Sequence, residues 1–66
     1  MQIRLNGEPY SLENGLCLSA LIRDLGLGSD GVAVAINGEI IPRATHPTRE
    51  LKDGDEVEII HAVGGG

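Results

Sequence analysis

Ile3 and Leu5 alternate with Gln2, Arg4 and Asn6, the period-two pattern of a strand that buries one face. Asn6-Gly7 follows, and because both residues tolerate positive φ a tight hairpin is predicted there. Tyr10 and Leu12 carry the alternation along the return strand, which Glu13-Asn14-Gly15 ends. Pro9 has no N–H to give a neighbour, so this strand belongs at a sheet edge. Leu18, Leu21, Ile22 and Leu25 then recur at i, i+3, i+4 and i+7, one apolar stripe on a helix of about two turns. Gly26 is placed to close that helix in the left-handed conformation. After a Gly28-Ser29-Asp30-Gly31 loop, Val32 to Ile36 is a short apolar strand, Asn37-Gly38 a second turn, and Glu39-Ile40-Ile41 the partner strand, stopped by Pro42. Residues 43–50 read as irregular, with Leu51 plugging the core. Lys52-Asp53-Gly54-Asp55 is a turn, and Val57, Ile59, His61 and Val63 alternate with Glu58, Ile60 and Ala62 in the last strand.

The expected order is β-β-α-β-β-β. One short helix covers one face of a sheet, so the other face stays open to water or partners. Ile3, Leu5, Leu21, Leu25, Val34, Ile36, Val57 and Ile59 should pack together under the helix. Ile60 lies on the strand face opposite Val57 and Ile59, and Ala33 and Ala35 oppose Val32, Val34 and Ile36. Ala33, Ala35 and Ile60 therefore mark the open face. An isolated apolar surface residue needs no explanation, but three on one face suit a docking surface.

With 66 residues the chain makes one small domain, and a domain this short buries only about 60% of its unfolded surface. Cys17 is the sole cysteine, so no internal disulfide forms, and with His46 and His61 it makes no zinc spacing. Tyr10 is the only aromatic, which leaves the core to aliphatic side chains. A net charge of −5 argues against nucleic acid and suits a basic protein partner. No apolar run approaches the roughly 20 residues that span a bilayer, and no signal peptide is visible at the N-terminus. A reducing, cytoplasmic location is expected. There is no glycine-rich phosphate cradle between strand and helix, and no cofactor or metal is expected. The one compositional break is Gly64-Gly65-Gly66, which divides the chain into a domain over 1–63 and a flexible glycine tail over 64–66.

Four segments carry a resemblance to a known family. They are the opening Met1 to Gly7, the Val34 to Arg43 hairpin, the Leu51 to Ile60 turn and strand, and the ending His61-Ala62-Val63-Gly64-Gly65-Gly66. Together they resemble the sulfur carrier proteins of thiamine thiazole biosynthesis, within the ubiquitin-like β-grasp group. The resemblance covers the whole chain. It implies an α+β fold, a mixed β-sheet with one helix packed on one face. It also implies a carrier that is not itself an enzyme. In that family the C-terminal glycine carboxylate attacks ATP in an E1-like adenylating enzyme and becomes an acyl-adenylate. A sulfur donor such as a cysteine desulfurase supplies the sulfur that displaces AMP, and thiazole synthase takes it from the resulting thiocarboxylate. Carried over, Gly66 is the reacting residue, Gly65 its required neighbour, and Gly64 stands where relatives vary. The family's helix is often opened by Thr or Ser, whose place Cys17 takes here, forgoing a cap worth about 1 kcal/mol.

Other readings stay open beside this one. The small subunit of molybdopterin synthase shares fold and tail, and a ubiquitin-like modifier would form isopeptide bonds through Gly66. Cys17 is a relay or redox thiol or, more simply, a small residue at a helix start. His61 is a polar strand-end residue, since a carboxylate nucleophile needs no base at neutral pH, and His46 is a loop residue. Asp53, Asp55, Glu56 and Glu58 read as a solvated acidic face.

Overall fold

The computed structural model describes residues 1–27 and 31–61. Strands β1 (Gln2–Leu5) and β2 (Glu8–Ser11) form the first hairpin, helix α1 (Leu18–Asp24) follows, and β3 (Val32–Ile36) and β4 (Glu39–Ile41) form the second hairpin. A 3-10 helix (Arg43–Thr45) and β5 (Glu56–His61) complete the order. Both hairpins turn on Asn-Gly with positive φ at each residue, 52° and 86° at Asn6-Gly7 and 53° and 82° at Asn37-Gly38. These are type I′ turns, whose twist matches that of the strands they join.

The five strands make one sheet in the order β2-β1-β5-β3-β4. β1 and β5 run parallel, while the other neighbours are antiparallel. This is the mixed sheet with one helix expected of a β-grasp domain. Pro9 does lie on an edge strand. Pairing continues past β2, where the Met1 ammonium donates to the Leu12 carbonyl at 2.7 Å and the Leu12 N–H to the Met1 carbonyl at 2.8 Å.

Helix and sheet meet through Ile3, Leu18, Leu21, Ile22, Val34, Ile36, Ile41, Leu51, Val57 and Ile59, all buried. Leu51 plugs this core as its sequence context predicts. Two residues expected in the centre, Leu5 and Leu25, are only half-buried at its margin. Leu5 is the last residue before the first turn, and Leu25 is the helix C-cap. Leu18, Ile22 and Ile41 take up that burial instead. Beyond Leu25 the chain reverses at Gly26, φ 76°. There the Gly26 N–H donates to the Arg23 carbonyl (2.9 Å) and the Leu27 N–H to the Ile22 carbonyl (3.1 Å), the paired bonds of a Schellman ending that only a residue at ease with positive φ permits.

The stretch over 43–50 is more ordered than the sequence suggests. After the 3-10 helix it returns along the start of α1. Leu18 N–H donates to the Arg49 carbonyl (2.8 Å), Ser19 N–H to the His46 carbonyl (3.1 Å), and Leu51 N–H to the Leu16 carbonyl (2.9 Å). Two of the helix's open N–H groups are thus met by main chain. Cys17 is the N-cap and makes no side-chain cap bond. Ala20 N–H reaches the Cys17 carbonyl at 3.1 Å and also acts on the side chain at position 17, so a serine hydroxyl there would share a donor already bonded to main chain. The lost cap expected from the sequence is therefore compensated by residues 46–49. Cys17→Ser is expected to shift the thermal midpoint by no more than about 0.5 kcal/mol equivalent, the range of a neutral surface change; a calorimetric scan of the variant checks this.

His46 departs from its reading as a simple loop residue. Its ring is buried, with Nε2 3.2 Å from the Ile41 carbonyl oxygen, tying the 3-10 turn to the end of β4. No helix among the described residues is long and apolar enough to cross a membrane.

Candidate functional site

β5 is the last strand in sequence and the middle strand in space. On one side it pairs antiparallel with β3 from Val57↔Ile36 to His61↔Val32. On the other it pairs with β1 only at Arg4↔Glu56 and Leu5↔Val57. Two asparagine side chains extend its hold. Asn37 Oδ1 accepts the Glu56 N–H at 3.0 Å, and Asn6 Oδ1 accepts the Ile59 N–H at 2.9 Å. The turn before β5 is closed by Asp55, which belongs to the structure rather than to a solvated acidic face. It is buried; its carboxylate accepts the Lys52 N–H at 2.9 Å and the Asn37 side-chain amide at 3.1 Å. Glu56 and Glu58 are exposed, as expected.

Five residues, 62–66, follow β5 in sequence. Ala62 and Val63, expected in the last strand, and Gly64, Gly65 and Gly66 lie outside the described residues, as do residues 28–30, expected to be loop.

The face of the sheet away from α1 has two halves. Near the ends of β3, β4 and β5 it is apolar. Ile60 pairs across to Ala33, and Ala35 pairs across to Ile40. Ile60 is 67% exposed and Ile40 72%, the two large hydrophobic side chains left in solvent among the described residues. Ala33 is exposed and Ala35 half-buried between them. Ile60, Ala33 and Ala35 thus share the open face as their alternation predicts. Ile40 was missed, although its neighbour Ile41, directed inward opposite Val34, places Ile40 on the opposite face by the same rule. The other half of the face is charged: exposed Glu58 pairs across to Ala35, and beyond it Arg4 Nε lies 3.9 Å from Glu56 Oε1 across β1 and β5, both well exposed. Such a pair adds little stability but ends the apolar patch.

Cys17 sits half-buried across the molecule's helix side, its Sγ 3.2 Å from the Ser19 hydroxyl. That contact, with the Ala20 amide, holds the thiol below its ordinary pKa, against a smaller opposing effect of burial. Among the described residues no hydrogen bond joins Cys17 to the open face. Among the described residues no three His, Cys, Asp or Glu side chains converge as metal ligands would. What the described surface offers is therefore an exposed apolar patch that includes Ile60 of β5, the last strand in sequence before the glycine run.

A model of the ThiS family matches residues 3–66. The sulfur carrier protein ThiS of Thermus thermophilus is 42% identical over 62 residues, which cover 94% of this chain and 95% of that protein. The thiazole synthase of Magnetococcus marinus is 39% identical over all 66 residues of this chain, which span only 20% of its length. A crystal structure of the thiamine biosynthesis protein ThiS from Geobacter metallireducens superimposes with a TM-score of 0.84 and 32% identity, covering the whole of both chains.

Proposed function

This chain belongs to the ThiS family, and on that premise we propose that it is a sulfur carrier in the biosynthesis of the thiazole part of thiamine, with Gly66 as the sulfur-bearing residue. Residues 1–63 form the body and 64–66 the tail. The observation that carries the reading is that the family match runs through Gly66 while the strand leading toward it is held on both sides in the centre of the sheet.

The chemistry divides between this chain and its partners. An oxygen of the Gly66 carboxylate attacks the α-phosphorus of ATP, pyrophosphate leaves, and an acyl-adenylate forms. The terminal sulfur of a persulfide on a donor such as a cysteine desulfurase attacks the acyl carbon and AMP leaves; a thiol then reduces the resulting acyl disulfide, so that the thiocarboxylate remains and a disulfide forms on the thiol's side. Thiazole synthase then accepts that sulfur. The carboxylate is ionised at neutral pH, so no base within this chain is needed, and neither Cys17 nor either histidine takes a part. The catalytic groups and the phosphate site belong to the adenylating enzyme, for which this chain is a co-substrate. Gly64 and Gly65 have no Cβ, which suits passage through a narrow channel.

Ile60, Ala33 and Ala35, with Ile40, form the docking patch for the adenylating enzyme and for thiazole synthase. That a thiazole synthase contains a relative of this whole chain favours such a pairing. Ile60→Asp and Ile40→Asp are each expected to weaken binding to both partners by at least about tenfold, the scale of a central interface residue, and to leave the thermal midpoint near that of the parent because both side chains are already in water. Calorimetric titration checks the affinity. Undiminished binding by both variants would remove the patch from the interface.

The function is tested by reconstitution with an adenylating enzyme, ATP, a sulfide source and thiazole synthase. Thiazole formation should depend on this chain and on ATP. Transfer of the chain to lysine side chains without thiazole formation would make it a modifier instead.

A further inference from the structure

We infer that Asn6 is a positioning residue for the reaction at Gly66, acting by extending the parallel ladder along β5 beyond the point where β1 ends. This rests on the sulfur-carrier reading. The main chain of β1 reaches β5 through two donated bonds, Arg4 N–H to the Asp55 carbonyl (2.9 Å) and Asn6 N–H to the Val57 carbonyl (2.8 Å). A continuing parallel ladder would next present a β1 carbonyl to the Ile59 N–H. The chain cannot supply it, because at Asn6-Gly7 it turns away into the first hairpin. The Asn6 side-chain oxygen occupies that place, 2.9 Å from the Ile59 nitrogen. Among the described residues it is the last hydrogen bond on the β1 side of β5 before His61, and it spans 53 residues of sequence. Without it, the main chain of β5 beyond Val57 is hydrogen-bonded to β3 alone among the described residues, leaving the Ile59 amide less protected although its side chain stays in the core.

The consequence falls on the tail. A carboxylate that must meet a phosphorus held by another protein is sensitive to displacements near 1 Å, which can change rates by about 10²-fold. Asn37 gives an internal comparison. It too is the asparagine of an Asn-Gly turn and accepts a β5 N–H, but at Glu56, the strand's far end, and it also holds Asp55.

The test compares Asn6→Gly, Asn6→Asp and Asn37→Gly in the full chain. Glycine accepts the positive φ of either turn and removes the oxygen, whereas aspartate keeps an acceptor at position 6. Two readouts are used: hydrogen exchange of the Ile59 amide, and kcat and KM for ATP–pyrophosphate exchange catalysed by the adenylating enzyme with each variant as acceptor. Asn6→Gly should speed Ile59 exchange by about tenfold or more, and lower kcat about tenfold with KM within about twofold. Asn6→Asp should restore both. Asn37→Gly should lower the thermal midpoint at least as much as Asn6→Gly yet keep the parent kcat. A parent-like kcat in Asn6→Gly, equal slowing in Asn37→Gly, or failure of Asn6→Asp to restore the rate would overturn the positioning role. Absence of exchange with the parent chain would instead overturn the sulfur-carrier reading, and the positioning role with it.

Discussion

A single residue appended after Gly66 is expected to reduce sulfur loading by at least about 10²-fold while leaving the fold and the docking affinity intact. The argument is one of reach. An extra residue carries the free carboxylate roughly 3.3–3.6 Å further along the chain, past the α-phosphorus that the adenylating enzyme holds in place, and a misplacement near 1 Å already changes rates by about 10²-fold. Deleting Gly66 shortens the reach by the same amount and should fail equally. Gly65→Ala preserves length but adds a Cβ within the channel, so it should bind and react slowly. Cys17→Ser should load sulfur at the parent rate, because Cys17 lies on the helix side, tied to Ser19 and remote from the open face. These variants are compared by initial rates of pyrophosphate release under identical conditions. An extended chain that reacts as fast as the parent would show that the reacting group is elsewhere.

Leu21→Ala is expected to destabilise the domain by about 2–5 kcal/mol, the range for removing a fully enclosed leucine. Leu21 has no exposed surface and lies in the cluster that joins α1 to the sheet. The chain has no disulfide to share the burden, since its one cysteine is free, and a small domain's whole stability is of order 5–15 kcal/mol. The variant should therefore lose a large share of the domain's stability. Leu25→Ala, on the half-buried C-cap, should do much less. Chemical denaturation of the two variants gives both values, and equal losses would show that the helix packs differently.

The architecture was legible because its signals are local. Two Asn-Gly turns, an edge proline, a helical stripe closed by Gly26 and an alternating last strand each fix a nearby element, and those elements stand where the patterns put them. The open face followed from the alternation in β3 and β5, and Ile40 would have followed had the same rule been applied to β4. Contacts between distant segments were not legible. No pattern at His46 shows that its carbonyl will receive the Ser19 N–H, which is why the missing Cys17 cap looked more serious than it is. Asp55 stood in an acidic run typical of solvated turns, and its burial depends on Asn37, 18 residues away. Asn6 reads fully as a turn residue, so its second task at Ile59 has no trace in the sequence near it. Gly66 as the proposed sulfur-bearing residue was read from the glycine run and the family resemblance, and it lies outside the described residues.

The most direct measurement is the intact mass of the chain after incubation with ATP, an adenylating enzyme and a sulfide source, followed by fragmentation to locate the change. The account predicts a gain equal to the replacement of one oxygen by one sulfur, carried on the Gly66 fragment and dependent on ATP. An unchanged mass, or sulfur found on Cys17 with Gly66 unmodified, would contradict it.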